Sequence, residues 1–241
     1  MAAALPNRMP LGSVSYRSSE LRGDDLQSDD PRRRLIVALD VSTAEAARAI
    51  VAAVGDSVFT YKIGMQLYTA EGPQMVRELV AARRRVFLDL KYHDIPNTVG
   101  AAVAEAAKLG VSMLTVHAAG SGKMLRAAVE AAQASPNLMV LAVTVLTSLD
   151  DTALRSMGYG VTAQELVQLR VRDALACGCD GVIASAHDNP DNIRKRAGDE
   201  KLLIATPGIR GPDDPVDDHR RTADAATAIA QGADYLWLGG R

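Results

Sequence analysis

The chain has 241 residues, 48% of them hydrophobic and 23% charged, with 27 Lys and Arg against 29 Asp and Glu for a net charge of -2. That balance suits a globular protein able to bury a substantial core, and it lacks the broad basic field that gathers nucleic acid or an anionic membrane, so any phosphate must be recognised locally. No run of about 18 apolar residues offers a membrane-spanning helix, and the chain's two cysteines, Cys177 and Cys179, are too few and too close for a disulfide framework or a structural zinc.

Residues 1–34 are expected to be a flexible tail. Pro6, Pro10, Gly12, Gly23 and Pro31 interrupt a polar, serine-rich stretch that closes on Arg32-Arg33-Arg34, and such a composition buries too little apolar surface to order itself. The acids Glu20, Asp24, Asp25, Asp29 and Asp30 argue against an organellar transit peptide, and a secretory signal would need a continuous apolar core.

From residue 35 short β-rich runs alternate with alanine-rich amphipathic segments. Strands are expected at 35–41, 59–64, 85–92, 113–118, 138–146, 181–185, 202–209 and 235–239, and helices at 43–54, 72–82, 99–109, 122–134, 162–177 and 222–231, several opening on Ser, Thr, Gly or Asn as helix starts require. Eight strand signals with helices between them point to parallel βαβ units closing into a (β/α)₈ TIM barrel, with an open doubly wound sheet as the alternative. The chain ends soon after the eighth strand signal, so the barrel is expected to lack its last helix and to leave apolar surface uncovered there. Leu39-Asp40-Val41-Ser42-Thr43 follows the first strand in place of a glycine-rich dinucleotide fingerprint, which disfavours a nicotinamide enzyme.

The chemistry concentrates at strand ends. Val86-Phe87-Leu88-Asp89-Leu90-Lys91 is apolar on both sides of its charges, as a parallel strand covered on both faces would be. Strand alternation puts Asp89 and Lys91 on one face, and Asp94 follows just past the strand end, completing an acid, base, acid row. Lys62, inside Phe59-Thr60-Tyr61-Lys62-Ile63-Gly64, has the neighbours of a buried strand and is expected to join that row. Asp40, His117, Thr144, Thr147 and Ser148 stand at other strand ends, which a barrel brings to one mouth. His93 and His187 are expected to be structural or on the surface.

Loops after the seventh and eighth strands of such barrels commonly hold phosphate. Here they read Thr206-Pro207-Gly208-Ile209-Arg210-Gly211 and Leu238-Gly239-Gly240-Arg241. Glycines let backbone N–H groups approach an oxyanion and an arginine can grip it bidentately, which suggests a substrate carrying a phosphate monoester.

Asp89, Lys91 and Asp94, continued by Ile95-Pro96-Asn97-Thr98, form a motif that resembles the bacterial orotidine 5'-phosphate decarboxylase family. Ala38-Leu39-Asp40, Tyr61-Lys62-Ile63-Gly64, Thr69-Ala70-Glu71-Gly72-Pro73, Val116-His117-Ala118, Val143-Thr144-Val145-Leu146-Thr147-Ser148 and Thr206-Pro207-Gly208-Ile209-Arg210 extend the resemblance, which leaves only residues before 35 outside it.

The resemblance implies a cofactor-free, metal-free lyase that converts orotidine 5'-phosphate to UMP and carbon dioxide, the last step of pyrimidine synthesis, as a cytoplasmic homodimer with shared active sites. By the same resemblance Asp40 and Lys62 hold the ribose hydroxyls, Thr147 and Ser148 face the pyrimidine, Pro207 and Arg210 lie by the phosphate, Lys91 donates the proton, and Asp94 and Thr98 come from the opposite subunit. Flanking carboxylates favour the charged form of a buried amine, and an ammonium beside the reacting carbon stabilises the charge left by departing carbon dioxide. The chain departs from the family pattern at Asp217-Asp218-His219-Arg220-Arg221, where His219 takes the place of a glutamine that bridges phosphate and base, and at Gly239-Gly240-Arg241, where Gly240 takes the place of an arginine. Two alternatives stand beside it: a magnesium-using sugar-phosphate decarboxylase or aldolase built on the same row, and a catalytically impaired nucleotide-binding relative.

Overall fold

Val86, Phe87 and Leu88 are all buried although their side chains point alternately to opposite faces, a pattern that requires both faces of the strand to be covered. The computed structural model, which describes residue 28 and residues 30–209 and 224–239, shows how: β1 (Leu35–Ala38), β2 (Thr60–Gly64), β3 (Arg85–Tyr92), β4 (Met113–His117), β5 (Met139–Val143), β6 (Gly181–Ile183), β7 (Leu203–Ile209) and β8 (Tyr235–Leu238) form a closed barrel in chain order. Every pairing is parallel, and closure is made by Leu35, Ile36 and Val37 of β1 against Leu236, Trp237 and Leu238 of β8. The TIM barrel expected from the strand count is therefore the fold.

Strand alternation divides the apolar residues into two cores. Ile36, Phe87, Met113, Leu141, Leu203 and Trp237 point inward and fill the barrel, while Ile63, Leu88, Leu114, Val140, Val182 and Ile204 point outward against the helical shell. Phe87 meets Trp237 edge to face, with ring centroids 5.4 Å apart, a geometry aromatic quadrupoles favour. The outward residues of β1, Leu35 and Val37, are only half-buried, and no helix follows β8 among the described residues.

The shell contains α1 (Ala44–Val54), α2 (Met65–Glu71), α3 (Gln74–Ala81), α4 (Pro96–Lys108), α5 (Ser121–Ala132), α6 (Asp151–Ser156), α7 (Ala163–Ala176), α8 (Pro190–Ala197) and α9 (Ala225–Ala230). Thr43 caps α1 by accepting from the Ala46 N–H, and Thr162 and Glu165 form a reciprocal capping box on α7, each satisfying N–H groups that a helix start leaves open. The helix expected over 72–82 is α3, which starts at Gln74 because Gly72 at φ 61° closes the preceding helix α2 and Pro73 caps the new one. Helices α2, α6 and α8 were not expected from apolar periodicity; α6 and α8 are short and carry few buried residues. Of the expected tail, Pro31–Arg33 forms a single 3₁₀ turn and the Arg34 guanidinium donates to the Asp234 carbonyl at 2.9 Å.

Among the described residues no helix is long and apolar enough to cross a membrane. Cys177 and Cys179 are free and buried, and burial pushes the Cys177 thiol pKa up.

Candidate active site

The carboxyl ends of the strands converge on one mouth, where two ion pairs lie over a single indole. Lys62, only 4% exposed on β2, donates from Nζ to Asp40 Oδ1 at 2.6 Å just beyond β1. Lys91 Nζ donates to both oxygens of Asp89 on β3, at 2.9 and 2.8 Å. Both ammonium groups sit over the Trp237 ring, 5.1 Å from its centroid for Lys62 and 5.8 Å for Lys91, where the negative face of the indole favours cations. In place of one continuous row the single chain holds two ion pairs, Lys62 with Asp40 and Lys91 with Asp89.

Asp89 and Lys91 do meet, but simple alternation is not the cause. Leu88 pairs with Leu114 and Tyr92 with Val116, so three residues of β3, Asp89, Leu90 and Lys91, face one residue of β4, Thr115. Lys91 takes up the excess in a left-handed conformation at φ 49°, one that non-glycine residues adopt rarely and at some energetic cost. Thr115, fully buried, accepts from the Lys91 N–H at 2.8 Å and donates to Asp89 Oδ1 at 3.0 Å. The Asp89 carboxylate is 3% exposed, and burial at that depth is tolerable because the Lys91 ammonium and the Thr115 hydroxyl replace its water.

Asp94 does not complete the row within one chain. It is exposed, and its Oδ1 accepts from the Ile95 N–H at 2.6 Å. Thr98, in the first turn of α4, is exposed as well. Among the described residues, then, the Lys91 ammonium pairs with Asp89 alone.

His117 ends β4 and stacks on His93, with ring centroids 5.2 Å apart. Burial, followed by the positive charges of Arg170, His93 and Lys91, holds the His117 pKa down to about 4, and its Nδ1 accepts from the Ala119 N–H at 3.2 Å. The imidazole is therefore neutral near pH 7, with its proton on Nε2. Thr147 and Ser148 lie in the loop after β5, half-buried and exposed respectively. The start of that loop is gripped by the buried Arg170, which donates to the Thr144 carbonyl and, at 3.1 Å, to the Tyr159 hydroxyl.

Pro207 is buried in β7 and Gly208 follows at φ 75°; Gly239 follows β8 at φ 88° and packs against Ala38. Arg210, His219, Gly240 and Arg241 lie outside the described residues. No three His, Cys, Asp or Glu side chains among the described residues converge as a metal site would need. Thr115 and Trp237 were not among the expected site residues, although alternation from His117 and Tyr235 turns both inward.

Residues 33–241 match the family model described as Orotidine 5'-phosphate decarboxylase / HUMPS family. The chain belongs to that family. A protein of Afipia carboxidovorans named orotidine 5'-phosphate decarboxylase is 48% identical over 210 residues, covering 87% of each chain. One of the same name from Caulobacter vibrioides is 44% identical over 212 residues, 87% of this chain and 89% of the relative. The crystal structure of orotidine 5'-phosphate decarboxylase from Lactobacillus acidophilus superposes with a TM-score of 0.75 at 33% identity, over 85% of this chain and 89% of that one. Membership of the orotidine 5'-phosphate decarboxylase / HUMPS family agrees with the Asp89 and Lys91 pair at the barrel mouth, the place where barrels of this class keep their chemistry.

Proposed function

We propose that this chain decarboxylates orotidine 5'-phosphate to UMP and carbon dioxide as a cytoplasmic homodimer in pyrimidine synthesis, with residues 35–241 as the decarboxylase domain and 1–34 as a tail. The observation that carries the proposal is the Lys91 ammonium, held 2.8 Å from Asp89 Oδ2 at the barrel mouth, in a chain 44 to 48% identical to proteins named for this reaction.

The step balances without a redox partner. The bond between the ring carbon and its carboxylate breaks, carbon dioxide leaves, and the electron pair stays on the ring carbon. Lys91 then delivers a proton to that carbon and recovers one from solvent. An ammonium already fixed beside the forming carbanion stabilises it without reorganisation. Asp40 and Lys62 are assigned to the ribose hydroxyls, Thr147 and Ser148 to the pyrimidine, and Pro207, Arg210, His219, Gly239, Gly240 and Arg241 to the phosphate. Binding of that remote phosphate supplies energy for holding the reacting carboxylate near Asp89.

Asp94 and Thr98 are assigned to the partner subunit's site. Their exposure on the single chain, with Ile95 between them 66% exposed, is what a surface covered by a second copy would show.

The alternative is a magnesium-using sugar-phosphate decarboxylase or aldolase built on the same acid, base, acid row, so the deciding experiment is the absorbance loss of orotidine 5'-phosphate with purified protein, with and without EDTA. Turnover unaffected by EDTA supports the pyrimidine reaction. Loss of turnover on chelation favours the sugar-phosphate reading, and UMP binding without turnover favours an impaired relative. Lys91→Ala is expected to lower kcat by at least about 10⁴, the upper range for removing a general acid, while UMP still binds. Unchanged turnover would remove Lys91 from the mechanism.

A further inference from the structure

We infer that Thr115 is a positioning residue for the decarboxylation, holding both the backbone and the counter-ion of Lys91 in the reactive arrangement. The inference rests on the function proposed above and adds to it a side chain that touches neither substrate nor reacting atom.

The hydrogen-bond inventory permits only one arrangement. The Lys91 N–H can only donate and an ionised Asp89 can only accept, while a hydroxyl has one proton and spare lone pairs. Thr115 Oγ1 must therefore take the N–H, as it does at 2.8 Å, and give its own proton to Asp89 Oδ1, as it does at 3.0 Å. Its fully buried site on β4, between Leu114 and Val116, admits no competing water partner from bulk.

The location gives this bond its consequence. The register slips at the point where Asp89, Leu90 and Lys91 face Thr115 alone, so the hydroxyl stands in for the β4 backbone partner that the bulge removes. Bulges of this kind re-aim a side chain, and a left-handed non-glycine residue persists only where its surroundings over-determine it. Lys91 at φ 49° is such a residue. One hydroxyl thus ties the strained peptide of the lysine to the carboxylate that receives the lysine's own ammonium. Without it, the Lys91 N–H loses its acceptor and Asp89 loses one of two donors on Oδ1.

Thr115→Val keeps the shape and removes the hydroxyl; Thr115→Ser keeps the hydroxyl. A misplacement of about 1 Å can cost 10²-fold in rate, so Thr115→Val is expected to lose about 10- to 100-fold in kcat while its UMP affinity by calorimetry stays within about twofold. Thr115→Ser is expected to retain kcat within about threefold. If the valine variant does not fold, Thr115→Cys, whose thiol is a weak donor and acceptor, takes its place with the same expectation. Wild-type kcat in the valine or cysteine variant overturns the inference, and so does a serine variant as slow as the valine. Should the wild-type protein not turn over orotidine 5'-phosphate, the function fails and the inference is still decided by a crystal structure of the valine variant: Lys91 leaving its left-handed conformation, or its ammonium leaving Asp89, supports it, and both unchanged overturn it.

Discussion

A methyl group on Gly64 would stand 3.1 Å from the Lys62 ammonium and 3.2 Å from Asp40 Oδ1. The backbone there is extended, at φ -93° and ψ -177°, so any residue could adopt it. What excludes a side chain is the ion pair packed against the glycine. Gly64→Ala is therefore expected to push Lys62 and Asp40 apart by a few tenths of an ångström, raising KM for orotidine 5'-phosphate and lowering kcat/KM about tenfold, with Tm within about 3 °C of wild type. A ΔΔG of 1 kcal/mol corresponds to roughly that shift in a domain of this size. Steady-state kinetics and thermal unfolding check both halves, and unchanged kcat/KM would show that the pair does not position substrate.

Three large apolar side chains at the site end of the barrel are exposed on the single chain: Met65 after β2 at 58%, Ile95 after β3 at 66%, and Leu146 after β5 at 36%. Burial of one such side chain contributes about 1.5–3 kcal/mol, and a second copy that covered them would also bring its own Asp94. Ile95→Asp is expected to convert the protein to a folded monomer by analytical ultracentrifugation and to lower kcat/KM at least about 100-fold. Lys91→Ala and Asp94→Ala proteins, each inactive, are expected to recover partial activity on mixing, since one site of the mixed dimer would hold both native residues. A proven mixed dimer without activity would sink the shared site.

Much of this was legible in the chain, and the failures have identifiable causes. The barrel followed from apolar strand runs interrupted by charge only at their carboxyl ends, as in Val86-Phe87-Leu88-Asp89, because such strands must be covered on both faces. Proximity of Asp89 and Lys91 also followed, though from alternation that a bulge in fact replaces: no glycine marks the left-handed position, so its conformation had no local signal. Thr115 was hidden because a threonine among apolar residues reads as ordinary strand preference. Helix α2 was missed because it is only seven residues long and follows β2 directly, with Leu67 its one buried residue, whereas Gly72-Pro73 marked the start of α3. Helices α6 and α8 carried caps, Asp150 and Asn189, but too few buried residues for a periodic signal.

His117 gives the molecule a stability that depends on pH in a definite direction. Its folded pKa of about 4 lies below the ordinary value of 6.5, so between those limits the unfolded chain binds more protons than the folded one. Stability therefore rises with pH across that window and is lost as pH falls from about 6.5 toward 4. His117→Asn removes the titrating ring and leaves a side-chain oxygen able to accept from the Ala119 N–H, as Nδ1 does now. The variant is expected to lose about 1–2 kcal/mol less than wild type between pH 6.5 and 4.5, a figure reduced for the solvent that reaches the half-buried ring. Urea unfolding of both proteins at a series of pH values isolates the effect, because every other titrating group is common to the two. Parallel stability curves would mean that His117 takes up its proton over the same pH range folded and unfolded, and that burial does not lower its pKa.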